Sequence, residues 1–481
     1  MPPNSRLVGC TALLVAINGL AASNDLRLFE AVKNQDKDAA RRLVKQHVDV
    51  NASWGDGSTA LHWAAHWDDP ETAELLIRAG ANVNASTDLG VTPLWAACDI
   101  GSAPMAEKLV AAGADVNATT STGVTTLMIC SKTGSAEAVR ALLAHHPNVN
   151  GKEKSRGQTA LMWAVAERHA EIVRLLLEHG ADVKARTIAT EALVNKGELR
   201  YGLSVTELVE TGGSTPILFA ARQGDVDSTR YLIASGADVN DASPDGTSAL
   251  VIAAHSNNGA VAQVLLENGA DQNAAGSGYT ALHAAILRGD LELTKALLGR
   301  GANPNAVLAK GTIVRRNGPD FALPTTLIGA KPFMIAAKYG EGEIMRALAA
   351  AGADTHAGLS DGATPLLAAA SADLAGEHGT NGALAAPENR ALGAVRAALD
   401  LGADVSASDQ GGNTALHLAA SRGYTKVVQL LVESGAKVDA KNKRGQTALK
   451  MTLAAARGGD PEDQPRVKNT ADLLRKLGAT E

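Results

Sequence analysis

The residues that could do chemistry in this 481-residue chain are few, and their spacing limits what that chemistry is. His62 and His66 stand four apart in His62-Trp63-Ala64-Ala65-His66-Trp67-Asp68-Asp69. On a helix both imidazoles would share one face, as metal ligands must. No third ligand at a known spacing completes the set, and no glutamate base follows His62 directly, so no metal site is expected. The three cysteines, Cys10, Cys98 and Cys130, are too few for a disulfide framework. Asn51-Ala52-Ser53, Asn84-Ala85-Ser86 and Asn117-Ala118-Thr119 fit the glycosylation acceptor pattern. The chain carries no Gly-x-Ser-x-Gly elbow, no phosphate-binding P-loop, no His-Glu-x-x-His and no dinucleotide fingerprint. The expectation is a protein with no catalytic residues and no cofactor.

Composition points the same way. Lys and Arg number 45 against 51 Asp and Glu, a net charge of −6, so there is no strongly basic face for nucleic acid. No apolar run reaches the ~18 residues of a transmembrane helix. Aromatics make up only 3% while Gly reaches 48 residues, so the apolar core must be built from Ala, Leu, Val and Ile in many thin layers.

Residues 1–23 stand apart. A polar start with Arg6 is followed by the apolar stretch 7–20, LVGCTALLVAINGL, and then by small Ala21, Ala22 and Ser23. That order is the one found in a secretory signal peptide, and it predicts export to the periplasm or beyond. The alternative is an uncleaved helix on a cytoplasmic protein. Leu7-Val8-Gly9-Cys10 looks like a lipoprotein box, but the apolar core mostly follows the cysteine instead of preceding it.

From there the chain repeats. Blocks reading Gly-x-Thr-x-Leu, or close to it, begin at Gly57, Gly90, Gly123, Gly157, Gly213, Gly246, Gly278, Gly329, Gly362, Gly412 and Gly445, mostly 32 to 34 residues apart. In each unit a Thr such as Thr59, Thr92 or Thr414 can cap a helix with its hydroxyl. Pro93, Pro216, Pro332 or Pro365 suits the first helical position. A second helix follows, as in Glu171-Ile172-Val173-Arg174-Leu175-Leu176-Leu177-Glu178, and a Gly such as Gly180 ends it. One helix pair cannot bury both its faces, whereas a stack can.

Gly90-Val91-Thr92-Pro93-Leu94, Gly412-Asn413-Thr414-Ala415-Leu416-His417-Leu418-Ala419-Ala420 and the closing phrase Gly113-Ala114-Asp115-Val116-Asn117 carry a resemblance to the ankyrin repeat. The resemblance implies an all-α solenoid of stacked helix-turn-helix units, an N-terminal cap plus about eleven repeats joined by short hairpin-like turns. It further implies that His62, His283 and His417 serve the capping Thr structurally, and that the Asn-Ala-Ser/Thr sequences belong to inter-repeat turns. The resulting layout is a signal peptide at 1–23, a cap at 24–56 and repeats one to four at 57–185. An insertion at 186–212 precedes repeats five to seven at 213–305. A second insertion at 306–328 precedes repeats eight to eleven at 329–481, which carry a flexible insertion near 372–390 and a C-terminal cap. Two joints depart from the pattern: His146-Pro147 replaces Gly-Ala after repeat three, and Lys331 replaces the capping Thr of repeat eight. Cys98 and Cys130 fall on first helices of adjacent repeats. Taking stacked helices as ~8–10 Å apart, against a disulfide's Cα limit of ~7 Å, they read as small buried residues standing in for Ala.

In arrays of this kind the ends of the first helices and the turn tips face the partner. Here the ends carry His66, Trp67, Asp99, Ile100, Lys132, Glu167, Arg222, Gln223, His255, Arg288, Lys338, Tyr339 and Arg422, with the cations concentrated in the later repeats. Trp63 and Trp163 read as core and Trp67 as exposed. Arg315, Arg316 and Phe321 mark the second insertion as a candidate binding finger. The function expected is a non-catalytic scaffold that binds a protein partner, with an acidic segment of that partner docking on the later cations. The other reading is a secreted effector acting on a host target.

Overall fold

A computed structural model of the chain describes residues 25–199, 203–311, 323–372, 387–458 and 464–480. The proposed signal segment 1–23 with Cys10, the finger residues Arg315, Arg316 and Phe321, and most of the third insertion lie outside the described residues. Among those described there are 24 α-helices and one two-stranded sheet.

Each repeat is built as its sequence directs. The tip glycine takes a positive φ, and at Gly90 (φ +80°) a Cβ would stand 2.8 Å from the Thr119 carbonyl oxygen and the Thr120 Cα, so no other residue fits without displacing backbone. The capping hydroxyl then opens the first helix: Thr92 Oγ1 accepts from the Trp95 amide, and Pro93 begins Pro93–Asp99. Ala and Leu fill the buried side, for instance Leu94, Ala97, Leu250, Ala253, Ala254, Leu282 and Ala285, each at most 1% exposed. Small side chains let neighbouring layers approach closely, which is how a chain poor in aromatics closes a core.

The layers are also laced together by amides. Asn51 Nδ2 donates to the Gly80 carbonyl (3.1 Å) while its Oδ1 accepts from the Asn82 amide (2.7 Å). Asn84 does the same one period on with Gly113 (3.1 Å) and Asp115 (2.7 Å), and Asn150, Asn273 and Asn305 repeat the pattern. Asn51 and Asn84 are thus committed to the inter-repeat turn.

The chain divides into two compact units, 1–147 and 148–481. The division falls at the His146-Pro147 departure, where His146 (φ +53°) holds the left-handed position that glycine holds in most other repeats. The other departure is milder: Lys331 makes no capping bond, but its Nζ pairs with Asp354 at 2.9 Å.

The insertions differ from one another. Within 186–212 the chain forms an antiparallel hairpin, β1 (Thr190–Leu199) and β2 (Leu203–Thr211), so the all-α array carries one β element. Its base is held on both sides. The Ile188 amide donates to the Arg156 carbonyl (2.7 Å), and Arg186 reaches the Gly213 carbonyl (2.7 Å) and the carboxylate of Asp241, which also accepts from Thr215. The second insertion is packed at both ends, with Leu308, Leu323 and Leu327 buried. The third is shorter than its composition suggests. Helix Pro387–Asp400 already contains residues 387–390, and Arg390 within it pairs with Glu341. At the insertion's other end Ala372 is buried, and its carbonyl accepts from the Tyr424 hydroxyl (2.8 Å).

Candidate interaction surface and the cysteine pair

Cys98 and Cys130 form a disulfide, with Cα atoms 4.6 Å apart and both residues fully buried. This corrects the expectation of two isolated small residues. The 8–10 Å separation is between helix axes. Each Cα lies ~2.3 Å off its axis, so residues facing one another across the contact have Cα atoms ~3.4–5.4 Å apart. Cys98 is eight residues past Gly90 and Cys130 seven past Gly123; that stagger brings the two into opposition.

The three capping histidines are structural, each with both ring nitrogens occupied. His62 Nδ1 accepts from the Thr59 amide (3.1 Å) and Nε2–H donates to the Val91 carbonyl (3.0 Å). His283 joins Thr280 (3.1 Å) to the Ala306 carbonyl (3.1 Å), and His417 joins Thr414 (3.2 Å) to the Gln446 carbonyl (3.0 Å). Each imidazole therefore ties its own helix cap to the chain leading into the following repeat. Burial holds His62 below the usual histidine range and pushes His283 down to about 4. Both are neutral Nε2–H tautomers near pH 7.

The ends of the first helices do form exposed positions. His66, Trp67, Asp99, Ile100, Lys132, Glu167, Arg222, Gln223 and Arg422 are all exposed. Lys338 and His255 are half-buried, and Arg288 turns inward to donate its Nε–H to the His255 carbonyl (2.5 Å). Tyr339 is a correction: it is 3% exposed. The long helix Pro387–Asp400 reaches back over this end of Pro332–Lys338, and Arg390 donates to the Tyr339 carbonyl (2.7 Å).

In the first unit the exposed row is backed by an aromatic cluster. Trp54 stacks on Phe29 (centroids 5.5 Å, planes 11° apart), Trp67 on Trp63 (5.9 Å, 28°), and Phe29 meets Trp63 edge-on at 6.3 Å. His66 lies against both Trp63 (5.6 Å) and Trp67 (4.8 Å). Trp63, expected in the core, is half-buried and forms the floor of this group; Trp163 is also half-buried, with its Nε1–H on Gln158 Oε1 at 3.1 Å. Trp67 Nε1–H donates to the Lys33 carbonyl (3.1 Å). Sequence reasoning missed Lys33 and Trp54. A signal for Lys33 was there: 33 residues before His66, it occupies the same position in the cap.

Stacked helix pairs whose first-helix ends are mostly exposed and differ from repeat to repeat define a helical repeat protein. Comparison with known proteins gives the family. The description "Ankyrin repeats (3 copies)" matches residues 28–120, 100–187, 191–276, 217–307 and 383–462. The chain belongs to the ankyrin-repeat family, whose repeats are generally protein–protein interaction modules and generally non-catalytic. It is 46% identical over 93 residues to an ankyrin repeat-containing protein of Treponema pallidum, covering 19% of this chain and 31% of that one. It is 28% identical over 226 residues to the ankyrin repeat protein YahD of Escherichia coli, covering 46% of this chain and 95% of that one. The E3 ubiquitin-protein ligase XBAT33 of Arabidopsis thaliana is 30% identical over 159 residues, 31% of this chain and 30% of the ligase. The chain thus covers under a third of the first and third of these relatives.

Proposed function

We propose that the protein is an exported scaffold that binds a protein partner along the ends of its first helices, with no chemistry of its own. The observation that carries this reading is the exposed side chains at two adjacent repeat positions, the ends of the first helices. The side chains of His66, Asp99, Ile100 and Gln223 take no part in the N-cap and Asn-mediated bonds that hold the layers, so those bonds do not fix their types. Within each unit, packed layers lose little conformational entropy when such a row is engaged. In the second unit Arg222, Lys338 and Arg422 suit an acidic segment of the partner. Export is supported by the order of residues 1–23 together with the Cys98–Cys130 disulfide, since structural disulfides persist in oxidising compartments and are rare in the cytosol.

The test is cell fractionation followed by partner capture. The protein is expected in the envelope fraction or the medium, with a defined protein co-purifying. Replacing Arg222, Lys338 and Arg422 together by Glu should abolish that capture. Recovery in the cytosol refutes export, and unchanged capture by the triple variant refutes docking on these cations.

A further inference from the structure

The N-terminal cap contributes more than a closed end to the first unit. Its helix Arg27–Lys33 finishes beside the first repeat, and the Lys33 ammonium stands over three rings there: 5.3 Å from the centroid of Trp54, 5.4 Å from Trp63 and 5.7 Å from Phe29. Trp54 and Trp67 are 44% and 41% exposed. Both are held in place from behind, Trp54 by its stack on Phe29 and Trp67 by Trp63 and its bond to the Lys33 carbonyl. They form a preorganised aromatic platform with a cation at its centre.

That cation has no carboxylate partner among the described residues. The acidic residues that closely follow Lys33 and Trp67 in the sequence are engaged by other partners. Asp36 caps its helix through the Ala39 amide (2.8 Å). Asp68 accepts from the Ser102 hydroxyl (2.5 Å). Asp69 accepts from Thr72 (2.7 Å) and pairs with Lys37 (3.0 Å). Glu30, one turn earlier on the same helix, makes no ion pair with Lys33. A half-buried ammonium held over ring faces by cation–π attraction still has donors to offer an anion. One period beyond Trp67, the same position holds Ile100, 39% exposed, so the row continues with an aliphatic side chain.

We infer that this platform, taken within the protein-binding reading above, receives an acidic side chain carried next to a proline or aromatic ring in an extended segment of the partner. The carboxylate meets Lys33 Nζ, and the adjoining ring lies on the exposed face of Trp54 or Trp67. Charge complementarity selects the acid and the exposed indoles select the ring. The aliphatic continuation at Ile100 favours a peptide over an acidic sugar. Tryptophan is also among the residue types that most often dominate interface energetics.

The experiment uses the full chain and an octapeptide array. Each peptide carries a central Asp or Glu followed by Pro, Phe, Tyr or Trp, paired with its Asn or Gln counterpart, and the best pair is measured in solution. Tetragalacturonate serves as the acidic-sugar probe. The acidic peptide is expected to bind about tenfold more tightly than its amide counterpart, a difference of ~1.4 kcal/mol. Lys33→Met should erase that preference while leaving the amide peptide's affinity within about twofold, and Trp67→Ala should weaken both peptides about tenfold. Circular dichroism melts of both variants report whether the fold is intact. The inference is overturned if no acidic peptide exceeds its amide partner, if the preference survives Lys33→Met, or if tetragalacturonate binds and the peptides do not. A cellular partner whose binding ignores Lys33 and Trp67 would remove the platform and leave the general scaffold reading standing.

Discussion

Removing the disulfide, by Cys98→Ala with Cys130→Ala, should lower the stability of the first unit by a calculable amount. The bond closes a loop of sequence separation 32. Chain-entropy arithmetic for a loop of that size gives about 3.7 kcal/mol at 25 °C, all of it acting on the unfolded ensemble. Alanine is the residue most other repeats place here, so the double variant leaves little void and isolates the cross-link. With a urea m-value of ~2 kcal/mol/M, the midpoint should fall by between about 1 and 2 M. Tryptophan fluorescence reports on the right region, because Trp54, Trp63, Trp67 and Trp95 all lie in the first unit and only Trp163 lies in the second. Reduction of the native protein with a small dithiol should give a loss of similar size. The bond itself is checked by alkylation in denaturant: Cys98 and Cys130 should be protected until reductant is added. An unchanged midpoint in the double variant, or both thiols alkylated without reductant, would refute the reasoning.

Other outcomes follow from particular contacts. His283 is neutral when folded, with a pKa near 4, and titrates near 6.5 when unfolded; its contribution is therefore full above pH 6.5 and is lost as pH falls from about 6.5 through 4. A pH series of melts should show acid destabilisation across that window, worth about 3 kcal/mol at its limit, and His283→Leu should flatten it. The same variant strands the Thr280 amide and the Ala306 carbonyl and should cost about 2 kcal/mol at neutral pH, read by the same melts. Gly90→Ala would force a Cβ against the Thr119 carbonyl at positive φ and should cost about 2 kcal/mol or more in a urea titration. Arg186→Ala removes the clamp between the hairpin base and Asp241; hydrogen exchange should speed up in the amides of β1 and β2 while the flanking helices stay protected.

The repeat, its caps and its turns were legible in the sequence because each depends on local chemistry: Thr before the first helix, Pro at its start, Gly where φ must be positive, and Asn at the inter-repeat turn. What escaped depended on how one layer meets another. The cysteine pair escapes a sequence reading because facing Cα atoms approach closer than their helix axes by twice the ~2.3 Å helix radius. Tyr339 was placed at the surface because helix Pro387–Asp400, longer than the second helices of other repeats, was not foreseen; the residues that lengthen it read as Gly/Ala-rich insertion. The hairpin at 190–211 went unrecognised even though the apolar residues of 203–209 (Leu203, Val205, Leu208, Val209) begin in strand-like alternation. Lys33 stands one period before His66 but lies in the cap, ahead of the first Gly-x-Thr-x-Leu block that marks the repeat position.

The central claim is that the ends of the first helices meet a protein partner, and site-directed photocross-linking in the native cell tests it most directly. A photoreactive amino acid replaces Ile100 or Arg222, exposed at first-helix ends, or, as controls, Arg78 or Arg230, exposed on second helices. The account predicts a discrete protein adduct from positions 100 and 222 and none from positions 78 and 230. Equal labelling from all four positions, or adducts from the controls alone, would contradict it.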